Sequence, residues 1–219
     1  MENSEVLWTE VIQKGTMADL PYNNLGVYYN NNQQYENAIQ YLEKGVSLNT
    51  NQTDIVVNLG YAYLQTGRYN KAIAAYEHAL QMDKNNLAIY INLGRAYRSI
   101  KNYDEASLMY QNGLRVNSNS TELHYEFGLL YGLMRIDSLA EIELKKAISL
   151  DEKYAPAYFS LGAMYSYQKK DSEAIAFITE GMKYQTPSAD MYYVLGKSYY
   201  NTGDTLKAKY FHNIYRSSH

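Results

Sequence analysis

The sequence predicts an all-α solenoid of six helix pairs, and three observations predict it. Gly26, Gly60, Gly94, Gly128, Gly162 and Gly196 stand 34 residues apart. Each is followed three residues later by a tyrosine (Tyr29, Tyr63, Tyr97, Tyr131, Tyr165, Tyr199) and twelve later by an alanine (Ala38, Ala72, Ala106, Ala140, Ala174, Ala208). Each is preceded by Leu25, Leu59, Leu93, Phe127, Leu161 or Leu195. Within a copy the apolar positions recur at i, i+3, i+4 and i+7, the stripe of an amphipathic helix, and no stretch sustains the period-2 alternation of a strand. A self-similar period of this length is the signature of a repeat array. Glycine inside a helix costs roughly 1 kcal/mol relative to alanine. Its fixed recurrence therefore marks a place where the first helix of a pair lies close to the second, with the alanine removing bulk from the facing side.

The elements follow in order. Before Asp19, "SEVLWTEVIQKG" carries Val6, Leu7, Val11 and Ile12 and predicts a capping helix within residues 1–18, which would cover the open side of the first pair. The repeats span 19–52, 53–86, 87–120, 121–154, 155–188 and 189–219. In the first, Tyr22, Leu25, Gly26 and Tyr29 form one helical stripe, Asn30 to Gln34 break it, and Ala38, Ile39, Leu42 and Gly45 form the next. "QTGRY" and "NTGDT" supply helix-ending glycines, while Asp171 and Asp204 stand where N-caps belong. "NTNQTD", "DKNN" and "VNSNSTE" between copies are rich in residues that tolerate turns. No Pro- or Gly-rich linker interrupts the array, so a single domain is expected.

Composition narrows function by exclusion. The 219 residues are 46% apolar with a formal charge of −3, which offers nucleic acid or an anionic membrane no long-range attraction. There is no cysteine, hence no disulfide scaffold, thiolate nucleophile or sulfur ligand. The start, with Glu2 and Glu5, is the reverse of a basic signal-peptide region, and no apolar run approaches membrane-spanning length. The compartment stays open between the cytoplasm and, had a leader been removed, the periplasm or exterior. The unusual feature is 26 tyrosines against 4 phenylalanines and 1 tryptophan.

In the order large aromatic, Leu-Gly, Tyr, Ala, bulky residue, small residue, the chain resembles the tetratricopeptide repeat family over about nine-tenths of its length. Tyr22, Leu25, Gly26, Tyr29, Ala38, Leu42 and Gly45 match in the first copy; Tyr90, Leu93, Gly94, Tyr97, Ala106, Tyr110 and Gly113 match in the third. The resemblance implies a right-handed superhelix with each first helix lining the concave side. Departures are the closing proline, replaced by Thr50, Lys84, Ser118, Glu152 and Thr186, which predicts less sharply ended second helices. Val56 and His124 stand at the first aromatic, and His212 and Tyr215 at the bulky and small positions of the last copy.

On a wheel of about 100° per residue, the residues opposite the Leu-Gly-Tyr stripe should be polar. The first copy obeys, with Asn23, Asn30 and Asn31 beside Val27. Later copies offer Val57, Tyr61 and Leu64, then Ile91, Arg95 and Arg98, then Tyr125, Leu129 and Leu133, then Phe159 and Tyr167, then Tyr193, Lys197 and Tyr200. Aromatics and arginine are the residue types enriched at interface hot spots. The expectation is a non-catalytic scaffold that binds a peptide segment or partner protein along the concave face. Its contact residues are expected to be Val57, Tyr61, Ile91, Arg95, Arg98, Tyr125, Leu129, Phe159, Tyr193 and Lys197. The family's two-carboxylate clamp finds Asn58 and Asn92 in place, but Val57 and Ile91 where lysine is needed and Glu122 and Glu126 at basic positions, so that use is not expected. Other readings are packing of these residues within the chain, glycan stacking on the tyrosines, and self-assembly through the chain ends, where Phe211, Ile214 and Tyr215 are apolar.

Catalytic patterns are missing. His78, His124, His212 and His219 are scattered, without HExxH or carboxylates at ligand spacing. No phosphate-cradling glycine motif and no nucleophile elbow occurs. "NQT" and "NST" match a glycosylation acceptor but arise easily in asparagine-rich loops. No enzyme activity, cofactor, metal or nucleic-acid partner is expected.

Overall fold

A computed structural model describes residues 2–13, 20–48 and 51–218. The described residues form α1 (Glu2–Gln13), α2 (Leu20–Asn31), α3 (Tyr35–Leu48), α4 (Thr53–Gln65), α5 (Tyr69–Met82), α6 (Leu87–Ser99), α7 (Tyr103–Val116), α8 (Thr121–Leu133), α9 (Asp137–Leu150), α10 (Ala155–Tyr167), α11 (Asp171–Gly181), α12 (Ala189–Asn201) and α13 (Thr205–Ser217). No strand occurs among them. They group into two compact units, Met1–Asn117 and Ser118–His219. In the first, α2 packs on α3, α4 on α5 and α6 on α7, with α3 also against α4, α5 against α6, and α1 against α2. In the second, α8 packs on α9, α10 on α11 and α12 on α13, with α9 against α10 and α11 against α12. Trp8 and Ile12 turn α1 onto the first unit's buried cluster, whereas Val6 and Leu7 are exposed. Residues 14–18 of the expected capping segment, Asp19, Thr50 and His219 lie outside the described residues.

The repeated glycine makes room for a side chain more than for a backbone. A Cβ at Gly26 would lie 2.3 Å from Leu42, at Gly60 2.8 Å from Tyr76, at Gly94 2.2 Å from Tyr110, at Gly128 2.7 Å from Leu144 and at Gly162 2.3 Å from Ile178. The occupant is always the residue sixteen positions later, fully or almost fully buried. The alanine contributes its carbonyl, 3.3 Å from the Gly128 position and 3.2 Å from that of Gly162. At three of the six tyrosines that follow a glycine the hydroxyl has a further use. The Tyr97 hydroxyl donates to Glu77 at 2.6 Å and that of Tyr165 to Glu141 at 2.7 Å; Tyr63 does the same to Glu43. Each bond reaches back to the second helix of the preceding pair.

Helix ends are set by backbone conformation. Gly67 and Gly203 have φ of +73° and +89°, as the sequence predicts. The equivalent Gln33, Lys101, Arg135 and Lys169 take φ of 59–62° without being glycine. Asp204 caps α13, accepting from the Lys207 amide at 3.0 Å. Asp171 is no cap: it lies inside α11, and its carboxylate accepts from Asn201 of α12 at 3.0 Å. Losing the proline does not soften α5, α7 or α9, whereas α11 ends at Gly181, earlier in the repeat than they do. α5, α7 and α9 stop at the same place in the repeat, where Asp83, Asn117 and Asp151 turn extended.

Candidate partner-binding faces

In the first unit the expected contact residues sit on α4 and α6. Val57, Tyr61, Arg95 and Arg98 are half-buried, while Ile91 is only 4% exposed and belongs to the packing, beyond a partner's reach. The Tyr61 ring meets that of Tyr35 edge-on at 6.1 Å. Burial raises the Tyr61 hydroxyl pKa above the usual tyrosine value, its hydrogen bond with Tyr35 adds to this, and the nearby Arg95 charge opposes it. Arg95 also faces Tyr76, whose hydroxyl is raised by burial and again opposed by that guanidinium. Arg95 Nη1 donates to Asn92 Oδ1 at 3.4 Å, Asn58 Nδ2 to Asn23 Oδ1 at 2.9 Å, and Asn30 Nδ2 to the Asn58 carbonyl at 3.1 Å. Rings, amides and guanidinium groups thus share a half-wet surface.

Tyr76 is the functional candidate that the first-helix wheel misses. It comes from a second helix, passes the gap left by Gly60, and ends in a buried hydroxyl with no hydrogen-bond partner among the described residues. Its signal in the sequence is the column sixteen residues after each glycine, bulky in five of six copies.

In the second unit, Tyr125 and Leu129 of α8 are half-buried, and Tyr125 meets Tyr154 edge-on at 5.3 Å. Phe159 of α10 packs on α11, where a Cβ at Gly181 would lie 2.8 Å from its ring. Tyr193 of α12 is 48% exposed beside Tyr215, and Lys197 is exposed. Two hollows border Lys197. One, of about 620 Å³, is lined by Ser166, Tyr167, Lys169, Asp171 and Asn201; the other, of about 380 Å³, by Tyr193, Gly196, Tyr200, Ala208, Lys209 and His212. The Arg135 guanidinium lies 4.7 Å over the exposed Tyr167 ring. Phe211 and Tyr215, candidates for pairing between chains, pack inside their own helix pair, Phe211 stacked on Tyr199 and Tyr215 tilted against Tyr193.

His124 is structural, as a lone helical histidine usually is. Its Nδ1 pairs with Glu143 at 2.6 Å and its Nε2 with the Ser118 carbonyl at 3.1 Å. Among the described residues no three potential ligands gather to hold a metal, and no helix is long and apolar enough to cross a membrane. These surfaces offer donors and rings that can grip carbonyls, carboxylates and apolar side chains.

Residues 31–78 and 65–125 match the family model described as tetratricopeptide repeat. No curated protein matches. Among solved structures, a tetratricopeptide repeat protein from Parabacteroides merdae is similar at 19% identity, over 98% of this chain and 85% of that one, with a TM-score of 0.81. In the APC/C hetero-tetramer Cut9-Hcn1 the values are 17%, 99% and 43%, with a TM-score of 0.84, so this chain spans less than half of that one. YrrB, described as having an unusual peptide-binding site, is similar at 20% identity over 81% of this chain and 92% of that one, with a TM-score of 0.60.

Proposed function

We propose that this chain, of which residues 31–78 and 65–125 match the tetratricopeptide repeat model, is a non-catalytic scaffold whose α4–α6 face binds an extended peptide segment of a protein partner. The observation that carries this is that Tyr61 and Arg95 face the buried Tyr76 hydroxyl, with Asn92 beside Arg95, a mixed aromatic, amide and cationic surface on first helices. Arg95 would hold a carboxylate or backbone carbonyls of the peptide, and Val57 and Tyr61 would receive an apolar side chain. Arg98 extends the cationic end. In the second unit Tyr125, Leu129, Phe159, Tyr193 and Lys197 are the corresponding candidates, with the partly buried Phe159 the weakest. The peptide-binding site described for YrrB is a precedent on the same fold and does not transfer its ligand.

The test is selection from a random peptide library on immobilised protein, comparing wild type with Arg95→Glu and with Tyr61→Ala. Circular dichroism first establishes that all three fold alike. Peptides held by wild type should lose at least about tenfold in affinity on Arg95→Glu, the scale of a hot-spot substitution. Peptides held equally by all three proteins would remove the α4–α6 face from consideration. Binding lost only with Tyr61 would favour stacking over charge.

A further inference from the structure

The α12–α13 pair differs from the other pairs in what its second helix turns outward. In α11 and its C-cap the stripe Ile175, Ile178 and Met182 is apolar, Ile178 is fully buried, and α12 packs on this helix. The same three positions of the repeat in α13 read Lys209, His212 and Arg216. The stripe that in α11 is apolar and faces the next pair carries Lys209 and Arg216 in α13. With His212 in place of the bulky residue sixteen positions after glycine, the nearest side-chain atom to an added Cβ at Gly196 is Phe211 Cβ at 3.6 Å, against 2.2–2.8 Å at the five earlier glycines. The nearest atoms to a Cβ there are the Ala208 carbonyl oxygen and the His212 amide nitrogen, both at 3.3 Å. The result is the 380 Å³ hollow walled by Tyr193 and Tyr200, 48% and 69% exposed, and rimmed by Lys197, Lys209 and His212. No acidic residue lines it, and neither lysine has a carboxylate partner among the described residues.

A complementary surface exists on the same chain. Helix α1 contains Glu2, Glu5 and Glu10 and no lysine or arginine. It turns Trp8 and Ile12 inward and leaves Val6, Leu7 and Glu10 exposed. An apolar patch with a carboxylate thus answers an aromatic hollow with a cationic rim, and both would otherwise stay uncovered.

We infer that α1 of one copy docks on the α12–α13 face of a second copy. Val6 and Leu7 enter the hollow between Tyr193 and Tyr200, and Glu10 meets Lys209 and Lys197. The contact joins two different surfaces, so each copy keeps one of each unused, and growth continues past the dimer unless a ring closes.

The test is sedimentation velocity over a concentration series at low and high salt, with the fluorescence of Trp8, the chain's single tryptophan, as a second readout. Wild type should give a mass that rises beyond the dimer with concentration, and salt should weaken the association by screening. The Lys209→Glu, His212→Glu double variant and the separate Glu10→Lys variant should each associate at least tenfold more weakly, with unchanged circular dichroism. An equimolar mixture of the two should recover association, because the unaltered α1 of the first variant then meets the unaltered α12–α13 face of the second. Leu7→Asp, an exposed position, supplies an independent variant that should also abolish growth. A monomer at every concentration, association unaffected by these variants, or a mixture that stays dissociated would each overturn the inference.

Discussion

A methyl group added to Gly94 would sit 2.2 Å from Cε1 of the fully buried Tyr110, so the ring or the helix must move. Gly94→Ala should therefore destabilise by about 1–3 kcal/mol, the cost of an overpacked core, despite alanine's better helix propensity. Gly196→Ala meets nothing closer than 3.3 Å and should cost distinctly less. Urea unfolding of the two variants checks the order. A second residue-scale effect concerns the turns. Lys101 holds φ of +62°, a conformation disfavoured by about 1–2 kcal/mol for a residue with a Cβ. Lys101→Gly should stabilise by about 0.5–1 kcal/mol, glycine's greater chain entropy offsetting part of the relief, and Gly67→Ala should destabilise by about 1–2 kcal/mol. The glycine column was legible in the sequence because six copies repeat it. Its partner was not, because the occupant varies among leucine, tyrosine and isoleucine, and only their shared bulk marks the column. The left-handed turns at Gln33, Lys101, Arg135 and Lys169 were illegible for the opposite reason: the residue types there give no conformational signal.

Between elements, Tyr63, Tyr97 and Tyr165 each tie a first helix to the second helix of the pair before it. Tyr63 and Tyr97 are held above the ordinary tyrosine pKa, first by burial and then by the hydrogen bonds to Glu43 and Glu77. Tyr165 is raised by burial and by Glu141. A hydroxyl whose folded pKa exceeds its unfolded value contributes its full stability below the unfolded value and loses it as pH rises toward the folded one. Stability should thus hold to about pH 10, the ordinary tyrosine value, and fall above it. Urea midpoints measured between about pH 9 and pH 11 should show this decline, and Tyr97→Phe should make it shallower. The wheel located the half-buried Tyr61 and Arg95 but overestimated Ile91, because a residue opposite one packing stripe can still be covered by other neighbours. It could not reach Tyr76, which arrives at the first-helix face from the other helix of its pair.

At the scale of the whole chain, each compact unit carries a buried cluster drawn from its own helices: Leu25 to Leu93 and Ala96 in the first, Leu144 to Ala174 in the second. In stacked repeats stability is approximately a sum of local terms and nearest-neighbour terms, so an insult in one pair is felt mainly nearby. Trp8 is the only tryptophan and packs on the first unit's cluster, which makes its fluorescence a local reporter. Far-ultraviolet circular dichroism sums all the helices. Gly162→Ala, whose Cβ would meet Ile178 at 2.3 Å, burdens the second unit alone. Under urea it should advance part of the dichroism transition while leaving the Trp8 midpoint within about 0.5 kcal/mol of wild type, the additivity expected of distant sites. Gly60→Ala, beside Tyr76 in the first unit, should move both signals. If Gly162→Ala shifts Trp8 as far as it shifts the helices, the chain unfolds as one cooperative body and the local account fails.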